Sequence, residues 1–379
     1  MKENRKKTIQ TAVLMIAASL VAILMIGCEN SAAGDTIYLA SAGPENRIEG
    51  EFRNGITMAM DEINESGYLG ERTVEIEYFD DKRDLTTGIK IAQKLAEQKD
   101  KYTAVIGHWN ASIGIPAAKI YNDAGLLAIT PMVSSPELTR PAKEYIFRAV
   151  PTDADEARRI AGYASDKGYE NIALCYADND YGIGLCNEFE KACDELGISI
   201  IDSHTNFVNQ EEFEQQYKKW KALEIDAVFI SDSLPAAVEI IGMVRGKDAT
   251  LPILSAGGFS FDDVVALAGK NSDNIAYVAL YYPGQDRKAL KDFNAQYKDK
   301  FGAEPASFLA SKGYECVWLI ADAVKETGSK SSKDIAGYLH TMTTWQGVHN
   351  TYQFNENGDP KDMELFIVEV NNGTYSYLK

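Results

Sequence analysis

Two short stretches hold groups able to grip a small anion. Trp109-Asn110-Ala111-Ser112 leads into an apolar helical segment, and Met132-Val133-Ser134-Ser135 follows the next apolar run. Pro116 reads as lying near the first turn of that helix, where its missing N–H has no helical partner to lose. The N–H groups of the loop are then free to face an anion at the positive end of the helix. Together with the hydroxyls of Ser112 and Ser134 they would make a clamp for a small carboxylate. The competing use of the same serines is helix capping and turn formation.

Other chemistries find less support. His108, His204, His340 and His349 are not spaced as metal ligands with one another or with cysteine, so neither a metal nor another cofactor is expected. Gly182-Ile183-Gly184 lacks the third glycine of a dinucleotide fingerprint and reads as a tight strand-to-helix turn. No Gly-x-Ser-x-Gly elbow or Walker loop occurs, and an enzyme would need a nucleophile and base pair that the chain does not display. Asp80-Asp81, followed by Lys82 and Arg83, reads as a helix cap with salt bridges rather than as paired catalytic carboxylates.

The two loops are positioned by a parallel strand–helix–strand unit. Ala104–Gly107 and Leu127–Thr130 are short, continuously apolar runs on either side of a helix over Ile115–Ala124, so both deliver their loops to one carboxyl edge. That edge is where open α/β sheets bind ligands. Upstream, strand Thr36–Ser41, helix Ile48–Ser66 (Phe52, Ile56, Ala59 and Ile63 on one face), strand Thr73–Asp80 and helix Leu85–Glu97 complete one doubly wound half. After a crossover at Tyr145–Pro151, helices and strands alternate again from Asp153 to Ala279, predicting a second lobe of the same design. Helices follow over Lys288–Phe301, Pro305–Thr327 and Ser332–Met342. Strands near Tyr352–Phe354, Glu364–Val370 and Thr374–Leu378 then close the chain, with a turn at Asn371-Asn372-Gly373.

Residues 1–35 read as lying outside the fold. Four basic residues precede an apolar run over Thr8–Ile26, and Met25-Ile26-Gly27-Cys28 fits a lipobox, so residues 1–27 are expected to be a lipoprotein signal peptide. Cys28 would be the lipidated first residue and 28–35 a tether; the alternative is an uncleaved signal anchor. The whole chain carries a formal charge of −18, and losing the leader's net +3 leaves −21. Such an acidic protein is not expected to bind nucleic acid or anionic membrane surfaces. Cys175, Cys186, Cys193 and Cys316 read as buried thiols: Cys186 and Cys193 stand two helical turns apart, too far to bridge, and pairing elsewhere stays open.

The chain resembles the leucine/isoleucine/valine-binding family of type I periplasmic solute-binding proteins. The resemblance is carried by AVIG at Ala104–Gly107, YNDAGLLAITP at Tyr121–Pro131 and S-x-PELT ending at Thr139. It extends through AGP at Ala42–Pro44, GITMAMDEIN at Gly55–Asn64, FRAVPTD at Phe147–Asp153 and DYG at Asp180–Gly182. It implies two Rossmann-like lobes joined by a three-crossover hinge, with 36–150 plus 283–346 forming the N-terminal lobe and 151–282 plus 347–379 the C-terminal lobe. It further implies a monomeric, lipid-anchored extracytoplasmic protein that serves an ABC permease and its ATPase. An alternative is a surface sensor of the same fold. By the same resemblance, the Ala111 N–H, Ser112 and the Met132–Ser134 loop would hold an amino acid's carboxylate. The Met132 carbonyl and Ser134 hydroxyl would face its ammonium group, and Tyr181 would close from the second lobe. Departures are also visible. Ala111 replaces a serine, Ile48 stands where an aromatic is expected, Ser233 replaces a tyrosine, and Gly257 replaces the glutamate that neutralises the ammonium. Asp232 is a candidate replacement for that charge, and Trp109 either walls the ligand or packs between loop and helix.

Overall fold

The computed structural model describes residues 35–379 apart from 46, 206, 208, 262, 283 and 306, and leaves out the side chains of 47–49 and 261. The leader, Cys28, most of the tether and the side chain of Ile48 therefore lie outside the described residues.

The first sheet has five parallel strands, β1 (Ile37–Gly43), β2 (Val74–Asp80), β3 (Tyr102–Gly107), β4 (Ala128–Thr130) and β5 (Ile146–Arg148), in the order β2-β1-β3-β4-β5. Helices α1 (Arg47–Ser66), α2 (Leu85–Glu97) and α3 (Ala111–Ala124) connect its first four strands. Every residue of the central strand β3 is buried, as a parallel strand covered on both faces must be. Phe52, Ile56, Ala59 and Ile63 of α1 are fully buried, as their spacing predicts.

A second sheet repeats the design. Strands β6 (Asn171–Tyr176), β7 (Ser199–Thr205), β8 (Ala227–Ser231), β9 (Ile253–Ser255) and β10 (Ile275–Ala279) run parallel in the order β7-β6-β8-β9-β10. Helices α4 (Asp153–Asp166), α5 (Asp180–Leu196), α6 (Gln210–Ala222), α7 (Val238–Lys247) and the short α8 (Val264–Ala268) accompany it. The chain then forms α9 (Lys288–Phe301), α10 (Leu309–Thr327) and α11 (Ser332–Thr341), of which α10 and α11 share a core with β1, β3 and α1. The α1–α10 contact is backbone to backbone. A side chain at Gly55 would start 1.7 Å from the Ala310 carbonyl oxygen, and one at Gly313 would start 2.2 Å from that of Phe52.

The end of the chain departs from expectation. β11 (Trp345–Gln346) and β12 (Thr351–Tyr352) form a separate ribbon, and Tyr352 and Phe354 join the core of the first lobe, Phe354 packing edge-on to Phe147. Only β13 (Phe366–Asn371) and β14 (Thr374–Leu378) extend the second sheet, antiparallel. The return to the second lobe thus falls after Asp359 rather than at the expected Gly347, because buried aromatic contacts and the Arg148–Asp359 ion pair hold this segment on the first. The hairpin turn lies where the sequence puts it, with Asn372 and Gly373 in the left-handed region.

Local expectations also shift. Pro116 is the sixth residue of α3 rather than part of its first turn, where it withdraws the N–H that would bond to the Ser112 carbonyl. The cap of α2 is Asp84, which accepts the Thr87 N–H at 2.7 Å. Asp80 instead accepts the Glu45 and Lys82 amides, and Asp81 accepts the Arg83 amide and is buried against His108 Nδ1 at 2.7 Å, so among the described residues both bond to backbone rather than forming the expected salt bridges with the Lys82 or Arg83 side chains. Cys175, Cys186, Cys193 and Cys316 are free, buried thiols.

Candidate functional site

Both sheets reverse strand order between their first and third strands, and at such a switch point the loops diverge and leave a crevice. In the first sheet the relevant loops follow β1, β3 and β4; in the second they follow β6, β8 and β9. The six loops meet around one cleft of about 430 Å³.

On the first wall, β3 ends at Gly107, where the φ of +146° and the Ala42 carbonyl oxygen, 2.0 Å from where a Cβ would stand, exclude a side chain. This lets β1 and β3 converge and swings the chain outward into Trp109. The indole covers Gly43 and meets Phe52 edge-on at 5.1 Å, so Trp109 both packs between loop and helix and lines the cleft. Asn110 begins α3 in an extended conformation without a side-chain cap, and its carbonyl already accepts Ile113 and Gly114. The Ala111 and Ser112 N–H groups, by contrast, find no partner among the described residues. Met132, Val133 and Ser134 complete this wall. The Arg148 guanidinium steadies their loop by donating to the Val133 carbonyl at 3.0 Å.

On the second wall, Asn179 caps α5 through the Gly182 N–H and brings Tyr181 to the cleft. Gly182 presses on the Ala177 carbonyl oxygen, which a side chain would approach to 2.2 Å, so the Gly-Ile-Gly stretch serves the tight turn that the sequence suggests. The Tyr181 hydroxyl accepts the Gly258 amide at 3.0 Å, and Asp232 accepts the Ser233 amide at 2.7 Å. The sequence reading missed Glu156, in the first turn of α4. It is 5% exposed, lines the cleft and accepts the Gly257 amide at 2.9 Å. Beside it, neither carboxylate oxygen of the fully buried Asp153 has a hydrogen bond of good geometry, although the Ser134 hydroxyl lies close enough to favour its charged form.

The electrostatics of the walls are opposite. Burial, then the charge of Asp153, pushes Glu156 up to about 8, while the Gly257 amide pulls it down. Burial likewise raises Asp153 to about 6 and lifts Asp232. Tyr181 is raised well above its ordinary value by burial and by the charges of Glu156 and Asp153, so its hydroxyl keeps its proton. The second wall is thus short of positive charge, whereas the first offers unpaired N–H groups and hydroxyls. A small molecule with a carboxylate at one end and a cationic group at the other matches both. Among the described residues, neither histidine nor cysteine lines the cleft, and no group of acids, histidines and cysteines is arranged to hold a metal.

All eight candidate residues from the sequence, Trp109, Ala111, Ser112, Met132, Ser134, Tyr181, Asp232 and Gly257, line this one cleft. The signal that could have found Glu156 is its place, with Asp153, on the face that carries Ala157, Ile160 and Ala164 into the core.

Comparison with known proteins agrees with this architecture. The sequence pattern of the family described as periplasmic binding protein matches residues 39–374. The Leu/Ile/Val-binding protein homolog 1 of Brucella abortus is 27% identical over 355 residues, 92% of this chain and 93% of that protein. The leucine-, isoleucine-, valine-, threonine-, and alanine-binding protein of Pseudomonas aeruginosa is 26% identical over 348 residues, 89% and 91% of the two chains. A solved ABC transporter substrate-binding protein from Desulfitobacterium hafniense, in complex with Leu, matches with a TM-score of 0.81 at 29% identity, covering 91% of this chain and 100% of that one.

Proposed function

Because this chain belongs to the periplasmic binding protein family and has its type I fold of two α/β lobes, we propose that it is the solute-binding subunit of an ABC importer that captures an amino acid between its lobes. The family is one of solute-binding proteins, not enzymes. The observation that carries the proposal is the polarity of the cleft, with the Ala111 and Ser112 N–H groups, which find no partner among the described residues, on one wall and Glu156, Asp232 and Tyr181 on the other. The carboxylate of the amino acid docks at the start of α3 and at Ser134, its ammonium group turns to the second wall, and Trp109 and Met132 bound its side chain. The crossings between the lobes act as the hinge, and closure on the ligand presents a surface to the permease and its ATPase. Lipid on Cys28 holds the monomer at the extracytoplasmic face of the membrane.

A thermal-shift screen of Glu29–Lys379 against amino acids, amides and small carboxylates tests the reading. A true ligand at a hundred times its Kd adds about 2.7 kcal/mol of stability. If none of these solutes raises Tm, the proposed function fails.

A further inference from the structure

Glu156 holds an unusual position for a carboxylate. It is almost fully buried, touches the cleft and accepts a hydrogen bond from the Gly257 amide. Asp153, one helical turn away on the same face, is buried with no hydrogen bond of good geometry to its carboxylate, the Ser134 hydroxyl and the charge of Arg148 lying nearby. The charged groups that bear on Glu156 are all acidic: Asp153 and Asp155 on its own helix, with Tyr181 of α5 close to Glu156, Asp153 and Asp232. No cation bears on Glu156, and the one that bears on Asp153, the buried Arg148 guanidinium, is already paired with Asp359, so ionising both carboxyl groups is costly and a positive charge arriving in the cleft relieves that cost.

Position 257 explains how the carboxyl group reaches the cleft. A side chain there would start 2.5 Å from Oε1 of Glu156 and 2.9 Å from Oε2, so the glutamate head fills the volume that any residue other than glycine would need. Gly257 also supplies the amide that orients that head. The two residues come from α4 and from the loop after β9, and each fits only because of the other.

We propose that Glu156, admitted by Gly257, is the residue that receives the ligand's ammonium group, with Asp153 behind it adding negative charge. The assignment rests on the amino-acid reading above but makes a narrower claim. The cleft selects for a primary ammonium through a carboxylate on α4, while Asp232 is committed to its own loop through the Ser233 amide. In the empty protein Glu156 carries a proton near neutral pH, so capture of an ammonium ion expels that proton.

Calorimetry on Glu29–Lys379 tests this with leucine, 4-methylpentanoate and 3-methylbutylamine, together with whichever amino acid gives the largest thermal shift. The expected result at pH 7 is release of about one proton per amino acid bound, read from the dependence of the binding enthalpy on buffer ionisation. E156Q should weaken amino-acid binding about a hundredfold or more while leaving 4-methylpentanoate unaffected or bound more tightly. G257A, which forces the glutamate head aside, should weaken amino-acid binding in the same direction. If an amino acid binds wild type and E156Q within threefold of each other, the assignment is overturned and the transport reading stands. Binding only of ligands without an ammonium group overturns both the assignment and the amino-acid reading. Absence of binding by every probe overturns both. Should E156Q fail to fold, the wild-type proton count decides alone, and a count near zero overturns the assignment.

Discussion

Arg148 and Asp359 meet in a buried ion pair 2.6 Å long that ties the last strand of the first sheet to the segment returning toward the second lobe. The Thr139 hydroxyl bonds to both partners at 2.8 Å, and Arg148 reaches on to the Val133 carbonyl in the cleft wall. One buried cation therefore braces a lobe crossing and a ligand-facing loop together.

Removing one partner of such a pair leaves an uncompensated buried charge. D359N is expected to lower stability by about 3–5 kcal/mol in urea unfolding. It should also weaken ligand binding, since the loop carrying Met132 and Ser134 loses its brace. A loss below about 1 kcal/mol would show that the pair is dispensable.

A second buried network lies where the first lobe receives its late segment. The Tyr352 hydroxyl is 2.6 Å from both Lys312 Nζ and a Glu315 oxygen, and Glu315 also accepts the Val348 and His349 amides. Y352F should cost about 1–3 kcal/mol by leaving buried groups short of a partner. K312M should cost about 3–5 kcal/mol, because it leaves Glu315 charged and uncompensated. Chemical denaturation of both variants checks the order; equal losses would mean that the charge pair is not the stronger element.

The buried acid in the cleft makes stability depend on pH. Folding raises Glu156 from 4.5 to about 8, so between these values the folded chain keeps a proton that the unfolded chain has released. The contribution of this group to stability therefore falls as pH rises through that window. E156Q abolishes the decline, so its Tm relative to wild type, without ligand, should rise from pH 5 to pH 8. A difference independent of pH would show that Glu156 does not titrate there.

Cys175, Cys186, Cys193 and Cys316 should be inert in the folded protein. All four are buried, and burial pushes Cys186, Cys193 and Cys316 up to about 12. Ellman's reagent at pH 8 should find no reactive thiol in native Glu29–Lys379 and four after denaturation in guanidinium. Rapid labelling of the native protein would place at least one thiol at the surface.

Much of this molecule can be read from local pattern. Alternating apolar runs and helices define two doubly wound lobes, the face of α1 is visible in the spacing of Phe52, Ile56, Ala59 and Ile63, and the loops after β3 and β4 are recognisable as neighbours on one sheet edge. These features depend on periods of two and 3.6 residues and on the connection rule for parallel strands, all of which act within a few tens of residues. The end of the chain is less legible, because whether Tyr352 and Phe354 join a sheet or a core depends on the distant Phe147, Lys312 and Glu315.

The same limit applies to the cleft. By itself the sequence determined which loops carry candidate ligand groups, and it displayed a glycine at 257 with no acid beside it. It could not determine what fills the space that glycine leaves, since Glu156 stands 101 residues away in the chain. Only the tertiary structure brings the first turn of α4 against the loop after β9. A carboxyl group's role depends on the charges, amides and solvent around it, and packing, not sequence neighbourhood, sets those surroundings.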